Sequence, residues 1–168
     1  MATTYEPIQS QTLSSAVSSV TFSSIPQTYT DLVLVSNVFA GFSGIGMRFN
    51  GDTASNYSYA NATGQGTLGQ MFRSGSTTDI QYCGWNYALG STTIPAITKM
   101  NIMDYTNTST YQYTLSTASD GNAAGNFDME FFTGTWRNNA AVTSITLYVS
   151  AVNFSVGSTF TLYGIKAA

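Results

Sequence analysis

The sequence predicts an all-β chain, a single antiparallel β-sandwich of about ten short strands in a jelly-roll-like arrangement that takes up residues 1–168 as one domain. Three observations lead there. Apolar and polar residues alternate with the period of two that a pleated strand imposes. Clusters of Gly, Asn and Ser interrupt that alternation every 8 to 12 residues, as in sandwiches and barrels. No stretch carries an apolar stripe at helical spacing over three turns.

Taken in order, Val20 and Phe22 alternate with Ser and Thr in "SVTFSS", and "DLVLVSNV" (31–38) is apolar on both faces, as a central strand is. "GMRFNGDT" runs into Asn50-Gly51, a dipeptide that accepts positive φ in a tight turn. "NYSYA", "DIQYCGW", "TKMNIMDY", "TYQYTLST", "FDMEFFTGTW", "TSITLYVS" and "STFTLYGI" complete the set. The small, polar, glycine-bearing stretches 60–70 and 118–126 are expected to be loops, and so is 86–97, where Pro95 cannot donate to a ladder. No internal repeat is visible, which argues against a solenoid or propeller.

Composition narrows function mainly by exclusion. Charged residues make up 8% of the chain, against roughly 25% in an ordinary globular domain, so solubility rests on Ser, Thr, Asn, Gln and Gly. A hydrophobic share of 43% is too high for a disordered chain. The five cations, Arg48, Arg73, Lys99, Arg137 and Lys166, are scattered singly and the net charge is -3, so neither nucleic acid nor an anionic membrane surface is an expected partner. No run approaches 18 apolar residues, and the N-terminus lacks the basic and apolar regions of a signal peptide, so neither membrane insertion nor export by a signal peptide is expected.

Chemistry is similarly constrained. The chain has no histidine and one cysteine, Cys83, which removes Ser-His and Cys-His catalysis, imidazole and thiolate metal sites and any intrachain disulfide. Cys83, between Tyr82 and Trp85, is expected to be a buried thiol. Asp128 and Glu130, two apart in "FDMEFF", are the one carboxylate pair with a spacing compatible with glycoside hydrolysis. The favoured reading puts both acids toward solvent and Phe127, Met129 and Phe131 toward the core. "SDGNAAGN" around Asp120 has the oxygens of a calcium loop without its spacing, so it reads as a surface turn. "GFSGIG" (41–46) has no helix after it to hold a phosphate. Sequons at Asn56, Asn61, Asn107 and Asn153 match what a chain this rich in Asn, Ser and Thr carries by chance, about three. No catalytic residue, cofactor site or metal site is therefore expected.

Aromatic residues are plentiful: 11 Tyr, 10 Phe and 2 Trp. Trp85 with Tyr87, and Trp136 with Asn138 and Asn139, combine flat rings with amides and are the candidate glycan or subunit contacts; core packing is the weightier alternative for the rings.

Three stretches, "YEPIQSQTLSSAVSSVTFSSIPQTYTDLVLV" (5–35), "RFNGDTASNYSYA" (48–60) and "WRNNAAVTSITLYVSAVNFSVGSTFTLYGIKAA" (136–168), resemble small virion structural proteins of tailed bacteriophages. The resemblance weakens through 61–97 and brings no catalytic residues. It implies a non-enzymatic exterior component of the virion, associated with tail, baseplate or fibre in preference to capsid decoration. It also implies assembly in the host bacterial cytoplasm and partners among other virion proteins. A carbohydrate-binding module, or host attachment through a surface glycan, is the alternative from another class. A compact module closing on a strand, with two lysines, three prolines and uncharged runs such as "TSITLYVS", leaves sheet edges that copies of itself would cover. Homo-oligomers, trimers included, are expected, with Tyr148, Tyr163 and Trp136 among the contacts.

Overall fold

The computed structural model describes residues 4–40, 44–65, 68–83, 94–121 and 127–166. Among these the chain is all-β, with twelve strands in two antiparallel sheets that enclose one hydrophobic core as a β-sandwich. The strands are β1 (Tyr5–Thr12), β2 (Ser19–Phe22), β3 (Asp31–Val38), β4 (Ile45–Phe49), β5 (Tyr57–Gln65) and β6 (Leu68–Thr77), then β7 (Ile80–Cys83), β8 (Ala96–Met103), β9 (Gln112–Gly121), β10 (Phe127–Trp136), β11 (Ile145–Val149) and β12 (Thr159–Ile165). The larger sheet has the order β1-β12-β3-β8-β9-β10-β5-β6, and the smaller β2-β11-β4-β7.

Alternation places the core. Ile145, Leu147 and Val149 of β11 and Phe160 and Leu162 of β12 point inward, each flanked by half-buried polar neighbours. In β3, Leu32, Val33 and Leu34 are all buried, and the strand lies between β12 and β8, the central position its uninterrupted apolar run predicts. Asn50 (φ 53°) and Gly51 (φ 68°) form the expected tight turn, closed by the Asp52 N–H donating to the Phe49 carbonyl at 2.9 Å. It joins strands of opposite sheets rather than a hairpin. The Asn50 side chain fastens it, accepting from Thr143 N–H at 2.8 Å and donating to the Ala141 carbonyl at 2.8 Å.

Two expectations are corrected. Residues 60–70 are not a loop in the described portion: β5 and β6 pair from Tyr57↔Thr77 to Gln65↔Leu68. Their small residues mimic turn composition, but Ala62 and Gly64 form the flat row beside Phe131 and Met129 of β10. Likewise 118–121 continue β9, with Gly121 opposite Phe127, while 122–126 lie outside the described residues. Of the expected loop 86–97, Ile94 and Pro95 precede β8 at Ala96, and 86–93 lie outside the described residues.

The count of twelve exceeds ten by β1 and β6, the two edges of the larger sheet. Edge strands bury little, so their sequences lack strong alternation. Only half-buried Ile8 anchors β1 to the core, and the strand carries Pro7 beside a register shift, as an edge tolerates.

Candidate functional site

Trp136 ends β10 in the core, 1% exposed. Its ring stacks on Tyr57 (6.3 Å between centroids, 16°) and tilts against Phe49 (5.5 Å, 54°). The indole N–H donates to Asp52 Oδ2 at 2.7 Å. Burial pushes the Tyr57 hydroxyl up to about 12. Burial also acts to raise the Asp52 carboxyl, but hydrogen bonds from Asn56, Trp136, Ala54 and Asn138 outweigh it and hold Asp52 below the ordinary value. This cluster ties the turn after β4 to the end of β10, and the Trp136 ring has no open face for a ligand or neighbouring subunit. The contact expected of Trp136 is corrected accordingly.

Asn138 is engaged too, its Oδ1 accepting the Ala140 N–H at 3.0 Å besides the bond to Asp52. Asn139 parts from both: it is exposed and lines a groove with Ser109, Thr110, Tyr111 and Tyr113. Trp85 and Tyr87 lie outside the described residues, as do the side chains of Cys83 and Asp120. Tyr148 is held within the chain: its hydroxyl donates to Asp79, Arg48 sits 4.3 Å above its ring, and a Cβ at Gly46 would come within 2.8 Å of it. Tyr163 meets Tyr5 edge-on at 6.3 Å.

The phase of β10 reverses the expectation for its acids. Asp128 (3% exposed) and Glu130 (1%) face inward, and Phe127, Met129 and Phe131 face outward. "FF" at 131–132 offers two apolar alternations, one through 127, 129 and 131 and the other through 132 and 136. Close packing selects the second. Phe132 and Trp136 enter the core, and Ile80 of β7 rests on Gly134 so closely that a Cβ there would lie 2.4 Å from Ile80 Cγ2. The acids consequently share an inner, polar stretch with buried Asn61, Thr63, Thr98 and Ser116, Glu130 lying opposite Thr63 and Ala118. The amide of Asn61 donates to Thr63 Oγ1 at 3.1 Å. Two carboxyls so enclosed present no open cleft to a polysaccharide.

Burial raises the Asp128 carboxyl. The folded chain then holds that proton more tightly than the unfolded chain, so stability is fullest below the unfolded value of about 3.9 and falls as pH rises through the folded one. Asp128→Asn should raise the melting temperature at pH 7 by a few degrees and flatten its decline between about pH 4 and 7. Melts across that range check it; an Asn variant that melts lower at pH 7 with the slope unchanged contradicts it.

The outward residues of β10 belong to an apolar face. Across the strands, Thr117, Phe131, Ala62 and Met71 form one row, and Ser119, Met129, Gly64 and Gly69 the next. With Leu115 and Phe127, the side chains of Met71, Met129 and Phe131 are 43% to 85% exposed. At roughly 150–250 Å² for each large side chain, these five present on the order of 600 Å², the upper end of what a monomer shows. The sequence shows Leu115 and the β10 residues as apolar in period two but turns Phe127, Met129 and Phe131 toward the core, and it assigns no strand to the stretch that holds Met71.

Among the described residues no three Cys, Asp or Glu side chains converge as a metal-binding group, and no helix is long and apolar enough to cross a membrane. Comparison with models of protein families, with curated proteins and with solved structures finds no match to this chain.

Proposed function

We propose that this chain is a non-enzymatic structural subunit of the exterior of a tailed-bacteriophage virion, at the tail, baseplate or fibre, and that it works by packing against copies of itself. The apolar outer face of the larger sheet carries this reading. An interface takes about 800 Å² from each partner, of which about 56–65% is apolar, so a patch on the order of 600 Å² suffices for the apolar share. The resemblance of 5–35, 48–60 and 136–168 to virion proteins supplies the setting.

Strand order supports the same reading. The sets β1-β12-β3-β8 and β2-β11-β4-β7 follow the order of a jelly roll, and we read the fold as one, with β5–β6 and β9–β10 as added pairs that widen one sheet. The five residues of the apolar patch lie on those four added strands, and exposed Ile97 of β8, opposite Ser119, extends the face onto the neighbouring strand. The added strands end at β6, a ten-residue edge whose single charge is Arg73, whereas the opposite edge β1 is blunted by Pro7 and by Glu6, paired with Lys166 at 2.8 Å. A second copy is the occupant that satisfies both the face and its edge, and closed symmetric forms such as a trimer follow.

Sedimentation at micromolar concentration should show an oligomer. The double change Met129→Ser and Phe131→Ser should yield a monomer that melts within a few degrees of the parent, because both side chains are exposed. Maps of intact virions should place copies in contact at the exterior. A monomer in solution whose virion copies never touch, or absence from virions, rejects the proposal; contact confined to the capsid surface rejects the tail position.

A further inference from the structure

We propose that the groove between the β8–β9 and β10–β11 connections binds a neutral oligosaccharide. It has a volume of about 560 Å³ and is lined by Ser109, Thr110, Tyr111, Tyr113 and Asn139. That is the size range of sites for small organic ligands, enough for a di- or trisaccharide. Tyr111 and Tyr113 are 46% and 55% exposed, and the Gln112 between them is buried, so strand alternation sends both rings to the same side, roughly 6.5 to 7 Å apart along the backbone. Two adjacent flat rings are a stacking surface for the apolar faces of successive sugar rings.

Apart from Thr110, whose hydroxyl accepts from Asn107, the side-chain polar groups of the groove are uncommitted. The hydroxyls of Ser109, Tyr111 and Tyr113 and the carboxamide of Asn139 make no hydrogen bond among the described residues, while their backbone is held firmly. Asn107 accepts from the N–H groups of Ser109 (2.6 Å) and Thr110 (3.3 Å) and donates to Asp104 Oδ2 (2.7 Å) and Thr110 Oγ1 (2.9 Å). Gln112 donates to the Asn107 carbonyl at 2.7 Å, and the Val142 N–H to the Tyr105 carbonyl at 2.8 Å, which ties the two connections together. A site ordered before binding loses less entropy when it closes on a ligand. No ionisable group other than the two tyrosines lines the groove, so it offers nothing to a sialylated or uronic-acid glycan that a neutral one lacks.

This site adjoins the apolar patch, Tyr113 standing two residues before Leu115 on the outer face of β9, but it is built from other side chains, and its failure would leave the assembly reading standing. The test uses the full chain in its native oligomeric state. An array of neutral hexose and N-acetylhexosamine trisaccharides, with sialylated counterparts as controls, is followed by calorimetry on the best neutral probe. Micromolar to submillimolar binding to a neutral trisaccharide is expected. Tyr111→Ala and Tyr113→Ala should each weaken it tenfold or more, Tyr111→Phe and Tyr113→Phe by no more than about threefold, and Tyr5→Ala, on the far edge of the sheet, not at all. Sedimentation should stay unchanged in every variant. Absence of binding to every neutral probe at millimolar concentration, binding confined to the acidic glycans, or neutral binding indifferent to the alanine changes would overturn the proposal.

Discussion

Deletion of residues 158–168 should leave a chain that no longer folds. The segment is β12, which pairs with β1 along one side, from Tyr5↔Ile165 to Thr12↔Thr159, and with β3 along the other, from Thr159↔Asn37 to Ile165↔Asp31. Its loss therefore strips β3 of one of its two neighbours, leaving only β8, and detaches β1 altogether. Phe160 and Leu162 are fully buried, Phe160 edge-on to Phe154 at 5.1 Å, and each is worth roughly 1.5–3 kcal/mol of burial. Ser158 also goes, whose hydroxyl accepts from the Phe39 N–H at 2.9 Å and donates to its carbonyl at 3.1 Å. Against a usual total of about 5–15 kcal/mol, these losses together with two strand ladders exceed what a domain can spare. Circular dichroism and a thermal melt of the truncated chain check it. A soluble truncation with an unchanged cooperative melt would show β12 to be a dispensable arm.

The second large effect is expected at Trp136→Ala, which should cost about 3–5 kcal/mol and lower the melting temperature by about 10 °C or more. Removal of the ring opens a cavity between Tyr57 and Phe49 and takes the indole donor from Asp52. Trp136→Phe keeps an aromatic ring between Tyr57 and Phe49 but loses the N–H and the volume of the second ring, so it should fall between the parent and the alanine variant. Urea unfolding gives the free energies. An alanine variant within about 1 kcal/mol of the parent would mean that Trp136 does not anchor the core.

These two residues sets also mark how far the sequence reaches. The closing strand was legible in full, because Phe160 and Leu162 alternate with Thr and Tyr in a way that admits one phase. So was the central place of β3, from an apolar run that no half-exposed strand would carry. The edges were not: β1 and β6 bury too little to leave a periodic signature, and the glycines and alanines of β5 and β6 look locally like turns.

For the candidate site, the sequence selected the amide Asn139 but paired it with Trp136, a residue whose ring is in the core; the aromatics beside Asn139 are Tyr111 and Tyr113 of a different connection. Juxtaposition across 26 to 28 positions of chain depends on how β9 and β10 pair, which no local spacing reveals. The facing of β10 is the sharpest case. Its sequence supports two opposite alternations, and burial of Phe127, Met129 and Phe131 would have been the better choice for an isolated strand. By itself the sequence determined that the chain is a sandwich of short antiparallel strands, since period and punctuation are local properties. Only the tertiary structure decided which face of β10 is inside, because that choice belongs to Ile80 on Gly134 and to Trp136 against Tyr57 and Phe49, contacts between strands far apart in the chain.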